Sequence, residues 1–375
     1  MKIIIAPQGF KGSLKAHEAA DAIARGIKSA RPDADTVLLP ISDGGEGTVK
    51  AMVASTGGRL CSANVSGPLG DKVESTWGIL GDNTTAVIEM AAASGLNLVP
   101  KNRLDPMAAS TYGTGELIHA ALQAGYRKLI IGLGDSATTD GGTGMAAALG
   151  VSLLDADGFP VRRGGAGLSR LARIETSGRY EIIAHSTIIG ACDVTNPLYG
   201  KEGAAYVYGP QKGATPDMIA QLDIGLRNLS VVIERDLGIK VGEMPGTGAA
   251  GGLGAGLVAF LGASLQPGID LILDSIYFDK HLAEADLVLT GEGRIDYQTL
   301  RGKTVVGVAR RAKRMGKPVI AFTGELGTGY QDIYGCGIDR IVNIVPKGVT
   351  REVAMKQAAS FLTDAVKHAI EDFNV

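Results

Sequence analysis

Short apolar runs that stop at a turn and give way to a helical pattern recur along this chain, and their spacing predicts its fold. Residues 2–6 form the first run, and the positions of Ala16, Ala20, Ile23 and Ile27 then predict a helix over residues 15–30. Residues 36–40 lead into a second helix after Gly47. Towards the other end, residues 286–290, 318–323 and 340–345 repeat the unit. Met355, Leu362, Val366, Ile370 and Phe373 make the apolar stripe of one closing helix over residues 351–373. Five buried strands alternating with helices predict an α/β domain with a doubly wound parallel sheet, built from residues 1–65 and 285–375.

The middle of the chain reads differently. Residues 73–80 and 86–90 flank Gly81-Asp82-Asn83, the pattern of a β-hairpin. Residues 128–132, 187–192 and 204–208 read as further strands at irregular spacing, so residues 66–284 are expected to form an inserted mixed α/β domain. Residues 253–265 are apolar, but their length and glycines fit a buried helix rather than a membrane span. In an open parallel sheet the ligand binds beyond the carboxyl ends of the strands, where the strand order reverses. That rule predicts that residues 7–13 and 291–296 lie side by side, with a substrate cleft between the two domains.

Composition narrows the function class. With 375 residues, 45% hydrophobic and 20% charged, the chain has ample core for two soluble domains. Its net charge of −2, without a basic block, argues against a nucleic-acid partner. Cys61, Cys192 and Cys336 are widely spaced, and the apolar run at the start is too short for a secretion signal. A reducing cytoplasmic compartment is expected, with no membrane partner; monomer and homodimer both stay open.

The chemistry lies in the glycine-rich phrases, and 54 glycines make them frequent. Ser42-Asp43-Gly44-Gly45-Glu46-Gly47-Thr48 and Thr139-Asp140-Gly141-Gly142-Thr143 each set a hydroxyl, a carboxylate and glycines before an alanine-rich helical stretch. Glycine lets backbone N–H groups approach a ligand, and a helix N-terminus favours an anion. Thr290-Gly291-Glu292-Gly293-Arg294-Ile295-Asp296 repeats the recipe with a cation added. The phosphate-binding candidates are therefore Asp43, Gly44, Gly45, Ser136, Asp140, Gly141 and Gly142. Tight strand-to-helix turns are the competing explanation.

Phosphoryl transfer needs positioning, charge neutralisation and a group that orients the attacking hydroxyl. Lys11 sits between glycines before a helix, where an ammonium meets an anion; a solvated surface lysine is the alternative. Ser13 is either a substrate contact or the N-cap of that helix. Arg294 is either a fork for carboxylate or phosphate, or the partner of Asp296 or Glu292. Asp193 ends an apolar strand ahead of Val194-Thr195-Asn196-Pro197 and is placed either to accept a hydroxyl proton or to form an Asx-turn. The five histidines show no metal-ligand spacing. Gly132-Leu133-Gly134-Asp135-Ser136-Ala137 matches a dinucleotide fingerprint, but the glycines at 141 and 142 break the helix it requires. Gly246-Thr247-Gly248-Ala249-Ala250-Gly251 follows no strand, and Gly302-Lys303-Thr304 lacks the P-loop glycine at Tyr297.

Taken together, residues 1–14, 41–48, 89–100, 113–117, 132–149, 191–199, 209–214, 246–257 and 286–308 make the chain resemble the bacterial glycerate kinase family. The block from Thr290 to Lys303 is the most specific of these stretches. The resemblance implies a flavodoxin-like domain with an inserted α/β domain, and phosphorylation of D-glycerate at the 2-hydroxyl by ATP with Mg2+. It implies Asp193, Lys11 and Arg294 as catalytic groups, and Ser13, Phe10, Asn196 and Asp296 as substrate contacts. Asp43 or Asp193 would be the metal ligand. The chain departs from the family where it has Gln8 and Gly9 in place of Asp-Ser, and Asp135 and Thr139 in place of a glycine and an asparagine. These departures leave a C4 sugar acid as an alternative substrate, and an inactive ligand sensor as an alternative role.

Overall fold

The computed structural model describes all residues except 11, 42–46, 298, 302–303 and 374–375. The chain opens with β1 (Lys2–Pro7), α1 (Ala16–Ala30), β2 (Asp35–Leu38) and α2 (Thr48–Thr56). Next come β3 (Arg59–Ser66), β4 (Lys72–Ile79), β5 (Thr85–Glu89), α3 (Ala91–Ser94), α4 (Tyr112–Gln123) and β6 (Lys128–Gly132). Then follow α5 (Thr143–Ala148), β7 (Ser152–Leu154), β8 (Arg173–Glu175), β9 (Thr187–Ala191), α6 (Ala204–Tyr208) and α7 (Pro216–Leu237). The elements α8 (Ala249–Leu261), β10 (Ser264–Gln266), α9 (Gly268–Ser275), α10 (Phe278–Glu284) and β11 (Leu287–Ile295) come after. The chain closes with α11 (Thr304–Arg314), β12 (Val319–Leu326), β13 (Arg340–Asn343), α12 (Arg351–Lys356) and α13 (Ala358–Glu371).

Two compact units result: residues 1–43, 54–56 and 269–375 form the first, and 44–53 with 57–268 form the second. Unit 1 is a five-stranded sheet in the order β13-β12-β11-β1-β2, parallel throughout. Read from the other edge, that order is 2-1-3-4-5, the flavodoxin-like winding with its switch point between β1 and β11. Ile3, Ile5, Leu287, Leu289 and Phe322 are buried in the sheet, and Ile23 and Ile27 of α1 meet Leu362, Val366 and Ile370 of α13. The helices α9 and α10 fall almost wholly in unit 1, about one helix pair beyond the boundary read from the sequence.

Unit 2 carries a six-stranded mixed sheet, β10-β9-β6-β5-β4-β3, in which β5, β6, β9 and β10 run parallel. The predicted hairpin is present, with β4 antiparallel to β5 and Asn83 at φ 54 in the turn. The α8 helix lies in the core as a buried helix, its side chains from Leu253 to Leu261 almost all out of solvent. Among the described residues no helix is long and apolar enough to cross a membrane.

Two elements differ from their sequence pattern. Residues 204–208 form α6 rather than a strand, because Val207 N donates to Gly203 O and Gly209 N to Ala205 O, the i to i+4 bonds of a helix. Ala204 and Ala205 are buried there while Tyr206 and Val207 face out, so burial overrides the β-propensity of the aromatic and branched residues. The closing helix breaks at Gln357 into α12 and α13. The break takes Met355 out of the apolar stripe and leaves it 38% exposed, while Leu362, Val366 and Ile370 are fully buried.

Candidate functional site

Pairing of β1 with β11 brings Pro7 opposite Gly291, and Gln8 N donates to Gly291 O at 2.8 Å. The two segments predicted to be neighbours therefore meet at the unit 1 switch point. The stretch from Thr290 to Asp296 is not a turn into a helix, however. It is the second half of β11, paired with β12 as far as Ile295 opposite Leu326, and its glycines sit in extended backbone. That register puts Arg294 directly across from Glu325, where opposite charges attract. Arg294 Nε lies 3.0 Å from Asp296 and Nη1 3.2 Å from Glu325. The arginine, with its side chain 55% exposed, is thus the ion-pair partner that the alternative reading required.

Behind this pair is a buried acidic corner. Asp296 N donates to Thr299 Oγ1, which donates to Glu292 Oε1 at 2.7 Å. Glu292 and Asp296 are both buried. A Cβ at position 327 would stand 2.6 Å from Asp296 Cβ and 3.0 Å from Arg294 Nε, so only Gly327 lets the strand end fold against the pair. Sequence reasoning treated Glu292 only as a partner of Arg294 and passed over Thr299.

The loop after β1 changes two assignments. Phe10 is 2% exposed and packs in the unit 1 core, so its ring reads as a core residue. Ser13 Oγ donates to Phe10 O at 3.0 Å and closes a loop turn; the residue before α1 is Lys15, whose amide donates to Glu18. Ser13 is half-buried and remains next to the switch point, but it is not the helix cap. Gln8 Oε1 is buried with no hydrogen-bond partner among the described residues. Lys11, Asp43, Gly44 and Gly45 lie outside the described residues. At the end of that second phrase, Val49 N at the start of α2 donates to the buried Glu89 carboxylate, 2.6 Å away at the carboxyl end of β5.

Unit 2 presents the loop after β6. Asp140 is wholly buried, and its carboxylate accepts from Ser110 Oγ, Thr111 N, Thr111 Oγ1, Gly142 N and Gly144 N. Burial pushes its pKa up, while the Thr111 and glycine donors hold it down. Five donors from within the fold make Asp140 a brace for the loop rather than a ligand for phosphate. Gly141 (φ 63) and Gly142 (φ 77) take left-handed backbone, and a Cβ on either would strike Leu229 or Gly256. Their glycines serve turn geometry and packing against α7 and α8, as the competing explanation has it. No helix begins until Thr143, which disposes of the dinucleotide fingerprint.

Ser136, in the same loop, accepts from Lys212 Nζ at 2.8 Å, and Thr138 O accepts from the same ammonium at 2.6 Å. Lys212 is 1% exposed, and burial pulls its pKa down to about 7 against the attraction of Asp140. The hydroxyls of Thr138 and Thr139 are buried without a hydrogen-bond partner among the described residues. Lys212 was not singled out, although it lies in Gly209-Pro210-Gln211-Lys212-Gly213, within one of the stretches that carry the family resemblance. Asp135 adopts φ 52, a backbone that glycine enters freely and that aspartate tolerates, which accounts for the glycine in the family pattern.

Asp193 follows β9, half-buried, and Oδ1 accepts from Gly268 N at 2.7 Å. Asn196 is bound from both ends of its amide: Nδ2 donates to Glu202 O, and Oδ1 accepts from Tyr208. Among the described residues no three His, Cys, Asp or Glu side chains converge to hold a metal ion. All three cysteines are free thiols.

Comparison with known proteins matches this arrangement to one family. A glycerate kinase family model matches residues 3–374. A glycerate kinase of Halalkalibacterium halodurans is 50% identical over 366 residues, covering 98% of this chain and 96% of that protein. Glycerate 2-kinase of Escherichia coli is 48% identical over 358 residues, covering 96% and 94%. The crystal structure of a Salmonella typhimurium protein assigned as glycerate kinase 2 superposes with a TM-score of 0.89 at 49% identity, covering 99% and 97%. The chain belongs to the glycerate kinase family.

Proposed function

We propose that this protein transfers the terminal phosphoryl group of ATP to the 2-hydroxyl of D-glycerate. The observation that carries the reading is family membership along nearly the whole chain, with relatives at about half identity named for glycerate phosphorylation. None of those names points to a longer sugar acid or to a sensor.

The geometry suits the chemistry. Buried hydroxyls without partners, beside one buried ammonium at the end of a parallel strand, fit a phosphate group. Mg2+ takes one or two carboxylates and otherwise prefers phosphate oxygens and water, and Asp193 offers such a hard oxygen donor, with Asp43 the second candidate. ATP with Mg2+ supplies the phosphoryl group and neutralises its charge. Asp193, oriented by the Gly268 amide, holds the attacking hydroxyl and accepts its proton. Lys11, Ser13 and Arg294 hold anionic groups, with Arg294 keeping guanidinium donors beyond those used by Asp296 and Glu325. Asp296 fixes that guanidinium. Asn196 shapes the loop that follows Asp193. Three free thiols fit a reducing cytoplasm.

The test is a coupled assay of ADP release with Mg-ATP over D-glycerate, L-glycerate and the C4 sugar acids. Turnover on D-glycerate well above the others is expected. Turnover confined to a C4 acid, or none on any, overturns the reading.

A further inference from the structure

The loop after β6 holds more hydrogen-bond donors than the protein itself uses. Lys212 has three N–H donors; two go to Ser136 Oγ and Thr138 O. An ammonium has no lone pair, so Ser136 can only accept from it, and the serine proton must point elsewhere. Thr138 and Thr139, both fully buried, add two hydroxyls with no partner among the described residues. Leaving a buried donor unmade costs about 1–3 kcal/mol, so two orphaned hydroxyls beside an ammonium with a third N–H call for an external acceptor. An acceptor for surplus protons beside a buried cation is an oxyanion.

We propose that Lys212 is a positioning residue of an oxyanion site: by holding Ser136 Oγ and Thr138 O it presents the hydroxyls of this loop to an anionic group of the substrates. Only the identity of that group, a nucleotide phosphate or the carboxylate of the acid, rests on the kinase reading. The state of the amine matters to the device. While Lys212 is an ammonium, Ser136 donates outward; once the amine is neutral, its lone pair takes the Ser136 proton and the donor is lost. Burial places that change at about pH 7. Asp140, from the segment leading into α5, is the charged group acting on the amine, and Asp135 nearby is exposed to solvent. On its other side, Gly213 packs on Leu104 and adds no charge.

The experiment is calorimetric binding of Mg-ATP, inorganic phosphate and D-glycerate, each alone, to the intact wild type, Lys212→Met and Ser136→Ala near pH 6.5 and pH 8.5. Comparison with Lys212→Met at each pH removes the titration of the ligands themselves. Wild type is expected to bind one class of oxyanion about tenfold tighter than Lys212→Met at the lower pH, with the gap closing at the higher pH, as one unit of proton linkage requires. Loss on Mg-ATP and phosphate assigns the site to phosphate; loss on D-glycerate assigns it to the carboxylate. Ser136→Ala removes one hydroxyl and keeps the fold, so it decides the matter if Lys212→Met is too unstable. Wild-type affinity for all three ligands in Ser136→Ala, or in folded Lys212→Met, overturns the proposal. Lysine-dependent binding in a protein that phosphorylates no glycerate would leave the site standing and remove the kinase reading.

Discussion

Two regions at the carboxyl ends of parallel strands hold their polar groups in opposite ways. At the unit 1 switch point the charges are already paired: Arg294 lies between Asp296 and Glu325, with buried Glu292 held by Thr299. In the loop after β6 in unit 2, the polar groups are deep and under-committed, with one buried ammonium and hydroxyls that no described residue satisfies. A paired, exposed cation exchanges partners at little expense, because surface ion pairs are worth about 0–1 kcal/mol. A buried cation with spare donors is pre-organised and changes protonation instead. Under the proposed function the first region would grip and release an anion, and the second would hold one rigidly.

The predictions press on that contrast, beginning with the largest effect. Asp193→Asn keeps an acceptor for the Gly268 amide but removes the proton acceptor, so kcat should fall by about 10²–10⁴-fold with an unchanged melting temperature. Near-normal kcat would take Asp193 out of the chemistry. Arg294→Met should raise the KM of an anionic substrate by about ten- to a hundredfold, equivalent to about 1.4–2.7 kcal/mol, while shifting stability by less than about 1 kcal/mol. A large loss of stability with unchanged KM would make the arginine a strut and break the comparison.

A third test reads the buried cation by linkage. Folding lowers the Lys212 pKa to about 7, so between there and its ordinary value the unfolded chain binds the extra proton. Stability should therefore rise with pH across this window, at up to about 1.4 kcal/mol per pH unit, and the burial penalty is fully present below it. Denaturant titrations at several pH values should show that slope in wild type and lose it in Lys212→Met. Equal slopes would mean the amine is not buried as described. The smallest effect is at the rim of the same loop. Asp135→Gly relieves left-handed backbone worth about 1–2 kcal/mol but adds chain entropy of about 0.5–1 kcal/mol. A net gain of no more than about 1.5 kcal/mol is expected by thermal melting, and a clear loss would contradict the account of the family glycine.

What the sequence made legible, and what it hid, follows the same division. The winding of unit 1 was implied by the family resemblance, and its three central strands came through as plain apolar runs because β1, β11 and β12 are buried along most of their length. The meeting of residues 7–13 with 291–296 followed from that winding. Glycine-rich phrases misled wherever glycine had two uses. In β11 they sit in extended backbone, and at Gly141 and Gly142 they admit α7 and α8. Arg294 was ambiguous because only register reveals that Glu325 lies across from it. Lys212 was invisible for a related reason: its partners are 74 and 76 residues away, and a lysine reads as surface until its burial is seen. Residues 204–208 show burial defeating propensity, with two alanines taking the inside.

The most direct test of the account is to identify the product formed from D-glycerate and Mg-ATP by phosphorus and carbon NMR. The account predicts 2-phosphoglycerate as the sole phosphorylated acid, formed by wild type and lost with Asp193→Asn. Formation of 3-phosphoglycerate would contradict the placing of the 2-hydroxyl, and hydrolysis of ATP with no phosphorylated acid would contradict the transfer itself.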